Sequence, residues 1–268
     1  MAEIHVRLGE KVLKFAANLG FMWTELPLLD RIAAASRNGF RAVELHFPYD
    51  IPPEEIRRCC AENGVKLLGI NTDVGPDDSG LAAVPGREKE ALARIDQALD
   101  YAKAAGGTSV HVMAGKIDPA EKAEARRVFT SALRHAAERA EALDLVVLLE
   151  PINQRNMPGY FYSTVEEAAD IIAEIGGDRL RIMFDCYHVA ISQGDVLTRL
   201  RTHFASVGHV QIAAVPSRAE PDEGEIAYKA VFNELVALGY RGWVGCEYRP
   251  RTDTERGLSW FAALGVVP

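Results

Sequence analysis

Four side chains that could bind a metal ion or transfer a proton occur at the ends of consecutive apolar segments. Glu150 ends LVVLLE, Asp185 ends RIMFD, Gln211 lies in HVQIA and Glu247 ends WVGCE. A single acidic residue in such a place is usually a helix cap or part of a surface ion pair. Three acidic residues and one amide on successive segments predict one shared site, because crowded carboxylates would be driven to protonate unless a cation neutralised them. An all-oxygen set suits Mg²⁺ or Mn²⁺ better than a structural zinc ion.

Four further polar residues fall at strand ends, and each could hydrogen-bond a hydroxylated substrate. They are Glu44 in VELHFP, Asn71 in LGIN, His111 in VHVMAG and His188 in DCYH. For the two histidines the alternative is a buried structural ring whose nitrogens are satisfied by neighbours. The substrate-binding hypothesis includes all four, with that alternative left open.

The elements that must position these residues alternate regularly along the chain. Short apolar runs are each followed by a longer amphipathic stretch, eight times in all, which is the pattern of βα units around a parallel sheet. We predict strands at Lys14–Leu19, Ala42–Phe47, Lys66–Asn71, Ser109–Met113, Leu145–Glu150, Arg181–Asp185, His209–Ala213 and Trp243–Glu247. The predicted helices include Leu28–Asn38, Pro53–Asn63, Gly86–Ala105, Glu121–Leu143, Thr164–Ile175 and Lys229–Leu238. The sequence therefore predicts an α/β protein, a single (β/α)8 TIM barrel over residues 1–268, whose strand carboxyl ends meet at one catalytic mouth.

Two connections are longer than the rest, Thr72–Arg87 and Gln154–Ser163, and both are punctuated by glycine and proline. Long loops of this kind in compact domains are usually functional. Since both follow the carboxyl ends of strands, we expect them to overhang the mouth. The glycine pairs at 106–107 and 176–177 follow predicted helices, so we interpret them as helix caps rather than phosphate-binding loops.

Composition excludes several classes of protein. The net charge of −8 and the lack of any Lys/Arg run argue against nucleic-acid binding, which depends mainly on basic residues that meet phosphates. No stretch approaches the roughly 18 apolar residues of a membrane span, so we expect a cytoplasmic protein without a membrane partner. The four cysteines have no CxxC spacing and are interpreted as reduced thiols. Assembly into a homo-oligomer is left open.

The motifs resemble those of a known family in their order along the chain. FAANLGFMWTELPLLDRI, GFRAVELHFPYD, VPGRE, LLEPINQRNMPGYF, FDCYH, GHVQIA, EPDEGEI and GWVGCEYRP are similar to the hydroxypyruvate isomerase family. That family includes the 2-oxo-tetronate isomerases and belongs to the xylose-isomerase-like barrels. The resemblance runs from about Phe15 to Trp260, which is nearly the whole chain.

The resemblance implies a function and roles for particular residues. It implies that Glu150, Asp185, Gln211 and Glu247 bind the metal, that Glu150 and Glu247 also act as acid and base, and that His188 and Arg218 contact the substrate. The expected reaction interconverts hydroxypyruvate and tartronate semialdehyde through an enediolate. Arg218 in PSRAEP is the first candidate to pair with the substrate carboxylate, and Arg87 in PGRE is the second.

Related activities stay open at this point. EPIN followed by MPGYF is closer to the hydroxypyruvate enzymes, whereas VHVMAG is closer to the tetronate branch. Ketose 3-epimerases usually have histidine where this chain has Gln211, and they carry a further glutamate near Asn156. Barrel phosphodiesterases and abasic-site endonucleases use a three-zinc cluster with more histidines than these strand ends offer. A non-catalytic sugar-binding barrel would not need the acid/base pair.

Overall fold

Eight parallel strands close into a barrel in the computed structural model, which describes residues 5–8, 11–75 and 79–265. A short strand, β1 (His5–Leu8), precedes the barrel and pairs with its first strand in antiparallel fashion. Pairing of β2 with β9 closes the ring. The barrel strands are β2 (Lys11–Asn18), β3 (Ala42–Glu44), β4 (Lys66–Asn71), β5 (Ser109–His111), β6 (Val146–Leu149), β7 (Leu180–Asp185), β8 (Val207–Ile212) and β9 (Trp243–Cys246).

Helices connect the strands and cover the outside of the barrel. They are α1 (Leu28–Arg37), α2 (Pro53–Glu62), α3 (Glu88–Ala105), α4 (Lys122–Leu143), α5 (Val165–Ile175), α6 (Cys186–Ser192), α7 (Val196–His203), α8 (Tyr228–Ala237), α9 (Thr254–Gly257) and α10 (Trp260–Ala263). The predicted (β/α)8 fold is confirmed. Five elements were not predicted from the sequence: β1, the pair α6 and α7, and the short helices α9 and α10. None of the described helices combines the length and apolarity that a membrane crossing requires.

Local sequence explains the start of one helix and the burial of one strand. The helix α5 starts with a capping box, in which Thr164 Oγ1 accepts from the Glu167 N–H at 3.2 Å and the Glu167 carboxylate accepts from the Thr164 N–H. Strand β7 is almost wholly buried, as expected for a strand with helices on one face and the barrel interior on the other.

Strand register brings the predicted site residues side by side. Asp185 on β7 is paired with Gln211 on β8, and Gln211 is paired with Gly245 on β9. Because side chains alternate along a strand, residues 209 and 211 of β8 share one face. Both face the barrel interior, where they line an internal cavity.

The two long connections pack against the chain that follows β5. Gly80 in the first loop forms a bridge with Ala114, and Tyr160 in the second forms a bridge with Lys116. The Tyr160 hydroxyl also accepts from the Ala114 N–H at 2.9 Å. Both loops therefore lie at the carboxyl end of the barrel, although residues 76–78 of the first loop fall outside the described residues.

Candidate active site

Three carboxyl groups and one amide converge at the carboxyl ends of β6 to β9. Glu150, Asp185, Gln211 and Glu247 are all buried, with between 1% and 6% of each residue exposed. Asp185 also caps α6, because its Oδ1 accepts from the Tyr187 N–H at 2.8 Å. These side chains therefore lie where the sequence predicted, in one enclosed space.

Several oxygens of this group have no hydrogen-bond partner. Within the described part of the chain, Glu150 Oε1, Asp185 Oδ2 and Gln211 Oε1 are all buried and unpaired. A buried polar atom without a partner costs about 1–3 kcal/mol. Glu150, Asp185 and His188 each offer one possible metal-ligand atom, and these three atoms lie within 4.8 Å of one another, so this buried group could hold a metal ion. A bound cation would satisfy the unpaired oxygens, and the residues present therefore fit a metal.

The crowding of these carboxyl groups changes their proton affinity. Burial, together with the nearby Glu247 charge, raises the pKa of Asp185 to about 8. Burial and the charges of Glu247 and Asp185 raise the pKa of Glu150 well above its ordinary value. Burial also acts to raise the pKa of Glu247, but the Arg218 guanidinium and the His46 ring more than offset it and lower that pKa. The single positive charge of Arg218 thus does not neutralise the three carboxyl groups of Glu150, Asp185 and Glu247.

His188 is held in one tautomer by the loop that follows β6. Its Nδ1 accepts from the Asn153 backbone N–H at 3.1 Å. Burial and the Arg218 charge lower the pKa of His188 to about 3, so the ring is neutral and its proton is assigned to Nε2. That Nε2 lies 3.7 Å from Glu150 Oε1 and 3.6 Å from Asp185 Oδ2. Both distances are longer than a hydrogen bond, so the Nε2 side of the ring faces these two oxygens across a gap.

Arg218 lies beside the carboxyl groups of Glu247 and Asp185 and is held there by several contacts. Its Nη2 donates to Glu247 Oε2 at 2.9 Å and lies 3.8 Å from Asp185 Oδ2. Its guanidinium carbon lies 4.8 Å from the ring centre of Phe21 and 4.9 Å from that of Tyr187. Its Nε is buried and has no partner among the described residues. The side chain is therefore held in place by an ion pair and two rings, and its Nε–H is available to a ligand.

His46 belongs to the site, although the sequence analysis did not propose it. Its Nε2 lies 3.2 Å from Glu247 Oε1, and its ring packs edge-on against Phe21. Gly20 makes room for the ring, because a Cβ there would overlap the imidazole. The signal was present in VELHFP, because His46 lies two positions after Glu44 within the predicted strand Ala42–Phe47, on the same predicted face.

The other predicted substrate contacts fall into three groups. His111 is buried, with its Nδ1 3.5 Å from Glu150 Oε2, and burial lowers its pKa to about 4. Glu44 and Asn71 line the internal cavity, but both carboxyl oxygens of Glu44 are already hydrogen-bonded. Arg87 lies at the start of α3, where it pairs with Glu90 at 2.7 Å, and it is not among the described residues that line the cavity. The Arg87 side chain is partly exposed, and its contact with substrate stays a prediction.

The internal cavity beside these oxygens is small, about 20 Å³. About 10–15 Å³ is enough for one water molecule. The space therefore fits one water molecule, and Asp185, His188 and Arg218 are not among the described residues that line it. Its polar lining consists of Asn18, Glu44, His46, Asn71, Ser109, Glu150, His209, Gln211 and Glu247.

The fold and the site together define the class of protein. The family described as xylose isomerase-like TIM barrel matches residues 32–264, and the chain belongs to this family. Within it, the chain is an isomerase of the group that contains hydroxypyruvate isomerases and 2-oxo-tetronate isomerases, which confirms the predicted resemblance.

The relatives are similar over almost their whole length. A 2-oxo-tetronate isomerase of Cupriavidus necator is 45% identical over 92% of this chain and 97% of its own. The hydroxypyruvate isomerase of Escherichia coli is 37% identical over 93% of this chain and 98% of its own. A crystal structure from Brucella melitensis, described as AP endonuclease, family 2, superposes with a TM-score of 0.90. It is 39% identical and covers 93% of this chain and 98% of its own.

Proposed function

We propose that this chain is a metal-dependent isomerase that interconverts hydroxypyruvate and tartronate semialdehyde. The reaction moves one proton from C3 to C2 and one hydroxyl proton from the C3 oxygen to the C2 oxygen, so atoms and charge balance. The observation that carries the proposal is the group of buried oxygens, unpaired among the described residues, beside the Arg218 guanidinium. Such a site offers one place for a cation and another for an organic acid.

Four side chains would hold the metal through oxygen: Glu150, Asp185, Gln211 and Glu247. Carboxylate and amide oxygens suit Mg²⁺ or Mn²⁺. When bound, the ion would stabilise negative charge that develops on the two substrate oxygens as the C3 proton leaves. His188 is proposed instead as a substrate contact; its Nδ1 is occupied by the Asn153 N–H, and its Nε2 faces Glu150 and Asp185.

Glu150 and Glu247 are the proposed acid/base pair. One removes the proton from C3, which leaves an enediolate, and the other delivers a proton to C2. Glu247 is held by Arg218 on one oxygen and by His46 on the other. Glu150 lies beside His111 and His188. Burial and the charges of Glu247 and Asp185 raise the pKa of Glu150, whereas Arg218 and His46 outweigh burial and lower the pKa of Glu247. The two carboxyl groups therefore differ in proton affinity, as an acid and a base require.

Arg218 is the proposed partner of the substrate carboxylate. Its buried Nε, unpaired within the described chain, can donate to a carboxylate without breaking an existing hydrogen bond. The rings of Phe21 and Tyr187 hold the guanidinium plane in place. The His188 Nε2–H and the His111 ring can then hydrogen-bond the substrate's ketone and hydroxyl oxygens.

A four-carbon acid is the second candidate substrate, and the 45% identity with a 2-oxo-tetronate isomerase favours it. The chemistry is the same, with a hydroxymethyl group in place of one C3 hydrogen. Proton NMR in D₂O with each acid would compare them directly. If kcat/KM is higher for the four-carbon acid than for hydroxypyruvate, the four-carbon acid is the preferred substrate and the proposed mechanism is unchanged.

Metal removal tests the proposal itself. After exhaustive EDTA treatment we expect no turnover of either acid, and we expect added Mn²⁺ or Mg²⁺ to restore it. Undiminished turnover after EDTA would contradict the metal-dependent mechanism. Conversion of neither acid in the presence of metal would contradict the proposed reaction.

The Brucella structure makes endonuclease activity a necessary comparison. Against that activity, the proposed ligands include no histidine, the buried group of described residues that could hold a metal includes only one, and the net charge is −8. We expect no nicking of a plasmid with abasic sites, with Zn²⁺ or Mn²⁺ present. Metal-dependent nicking comparable to that of a known endonuclease would contradict the isomerase proposal.

A further inference from the structure

Glu44 is a buried carboxyl group with no part in the proposed acid/base or metal-binding set. It lies inside the barrel and is 5% exposed. Three side chains donate to it: Gln211 Nε2 at 2.7 Å, His209 Nε2 at 2.9 Å and Asn18 Nδ2 at 3.3 Å. Both of its oxygens are therefore engaged by the protein, which leaves little capacity for a substrate.

The contact with Gln211 decides which way that amide faces. An amide can present either its oxygen or its NH₂ group, whereas an ionised carboxyl group only accepts hydrogen bonds. Glu44 therefore requires the NH₂ group of Gln211 on its side. The amide oxygen is left on the other side, where it is buried and has no partner in the described part of the chain.

The surrounding sequence makes room for Glu44 at this position. Gly245, the β9 neighbour of Gln211, has no side chain, and a Cβ there would overlap Oε1 of Glu44. Asn18 is oriented as well, since its Oδ1 accepts from the Gly20 N–H at 3.0 Å, which turns its NH₂ group toward Glu44. Independent elements thus hold the Glu44 carboxylate against the Gln211 amide.

We propose that Glu44 is a positioning residue that holds the Gln211 amide with its oxygen toward the metal. The inference rests on the proposed function, because it needs a metal at the four strand ends. Without Glu44 the Gln211 amide is free to flip and to turn its NH₂ group toward the cation. The partial positive charge of that NH₂ group would repel the cation and weaken its binding. Partners that orient metal ligands typically contribute about 10- to 100-fold to metal affinity.

A purely electrostatic role of Glu44 makes a different prediction. If Glu44 acted only through its negative charge, Glu44→Gln and Glu44→Met would weaken metal binding equally. If it orients the amide, Glu44→Gln should retain part of the effect, because its amide oxygen can still accept from Gln211. The Glu44→Met change removes every acceptor and should be worse.

The test is a double-mutant cycle on Mn²⁺ affinity, with free Mn²⁺ measured by its paramagnetic resonance signal. The proteins are wild type, Glu44→Gln, Glu44→Met, Gln211→Ala and the double variant Glu44→Met/Gln211→Ala. We expect Glu44→Met to raise the Kd for Mn²⁺ by about 10- to 100-fold. In the Gln211→Ala background the same change should have almost no further effect, because no amide is left to orient.

The possible outcomes separate this inference from the proposed function. Equal losses in both backgrounds, or unchanged Mn²⁺ affinity of Glu44→Met, would overturn the positioning role. Wild-type protein that binds no Mn²⁺ would overturn the proposed function and this inference with it. If Glu44→Met does not fold by circular dichroism, the cycle is completed with Glu44→Gln and Glu44→Gln/Gln211→Ala. Glu44→Gln should then raise the Kd less than about tenfold in the presence of Gln211, and equal losses in both backgrounds or an unchanged Kd would overturn the proposal.

Discussion

Arg218→Ala should discriminate between charged and neutral substrates. The buried Nε of Arg218 is unpaired among the described residues and is the donor proposed for the substrate carboxylate. A hydrogen bond to a charged group contributes about 1.5–3 kcal/mol. Since about 1.4 kcal/mol corresponds to a factor of ten, loss of this bond should raise KM for hydroxypyruvate by about 10- to 100-fold.

The same substitution also removes the 2.9 Å contact with Glu247, which would affect any substrate. Dihydroxyacetone measures that shared loss, because it keeps the C2 ketone and the C3 hydroxymethyl group but has no carboxylate. The assay is therefore the ratio of KM values for the two compounds, measured by NMR at saturating Mn²⁺. Arg218→Lys should give a smaller rise, since it keeps the charge but loses the guanidinium that lies over the rings of Phe21 and Tyr187.

Arg127→Ala provides a matched control, since this arginine is exposed and pairs with Glu124 on the surface of α4. It should leave both KM values unchanged. If Arg218→Ala reduced activity toward both compounds to the same extent, the guanidinium would not be the carboxylate partner. Its role would then be confined to Glu247.

Three further predictions concern proton transfer, metal binding and stability. Glu150→Gln and Glu247→Gln should each lower kcat by about 10²-fold or more while Mn²⁺ still binds. One of these variants should still exchange a substrate proton with D₂O, and near-normal kcat in both would contradict the acid/base assignment. Mn²⁺ at 100 times its Kd should stabilise the fold by about 2.7 kcal/mol, measured by urea unfolding; an unchanged midpoint would argue against a metal site. Thr164→Ala should lower the free energy of unfolding by about 1 kcal/mol through loss of the α5 cap, and a urea midpoint equal to wild type would show that this cap is unimportant.

The architecture and the strand-end carboxyl groups could be predicted from sequence because they depend on local patterns. A buried parallel strand is an uninterrupted apolar run, so a final polar residue such as Glu150 or Asp185 stands out without any structural knowledge. Closure of the barrel then places successive strand ends together. The β1 strand was missed because it pairs outside the parallel repeat.

Contacts between distant residues could not be predicted in the same way. His46 and Glu247 are 201 positions apart, and Glu44 and Gln211 are 167 apart. The sequence shows that Glu44 ends a strand. Only the structure shows that Gly245, which has no side chain, leaves the space in which the Glu44 carboxylate packs against the Gln211 amide.

The sequence by itself therefore determined the barrel, the family resemblance and the residue types at the mouth, because periodicity and strand ends are local properties. The tertiary structure decided the chemical state of those residues. It assigns the proton of His188 to Nε2 through a loop N–H, and it holds Arg218 against the rings of Phe21 and Tyr187. The physical reason is that proton affinity and side-chain orientation depend on burial and on neighbours from other strands, which no stretch of sequence contains.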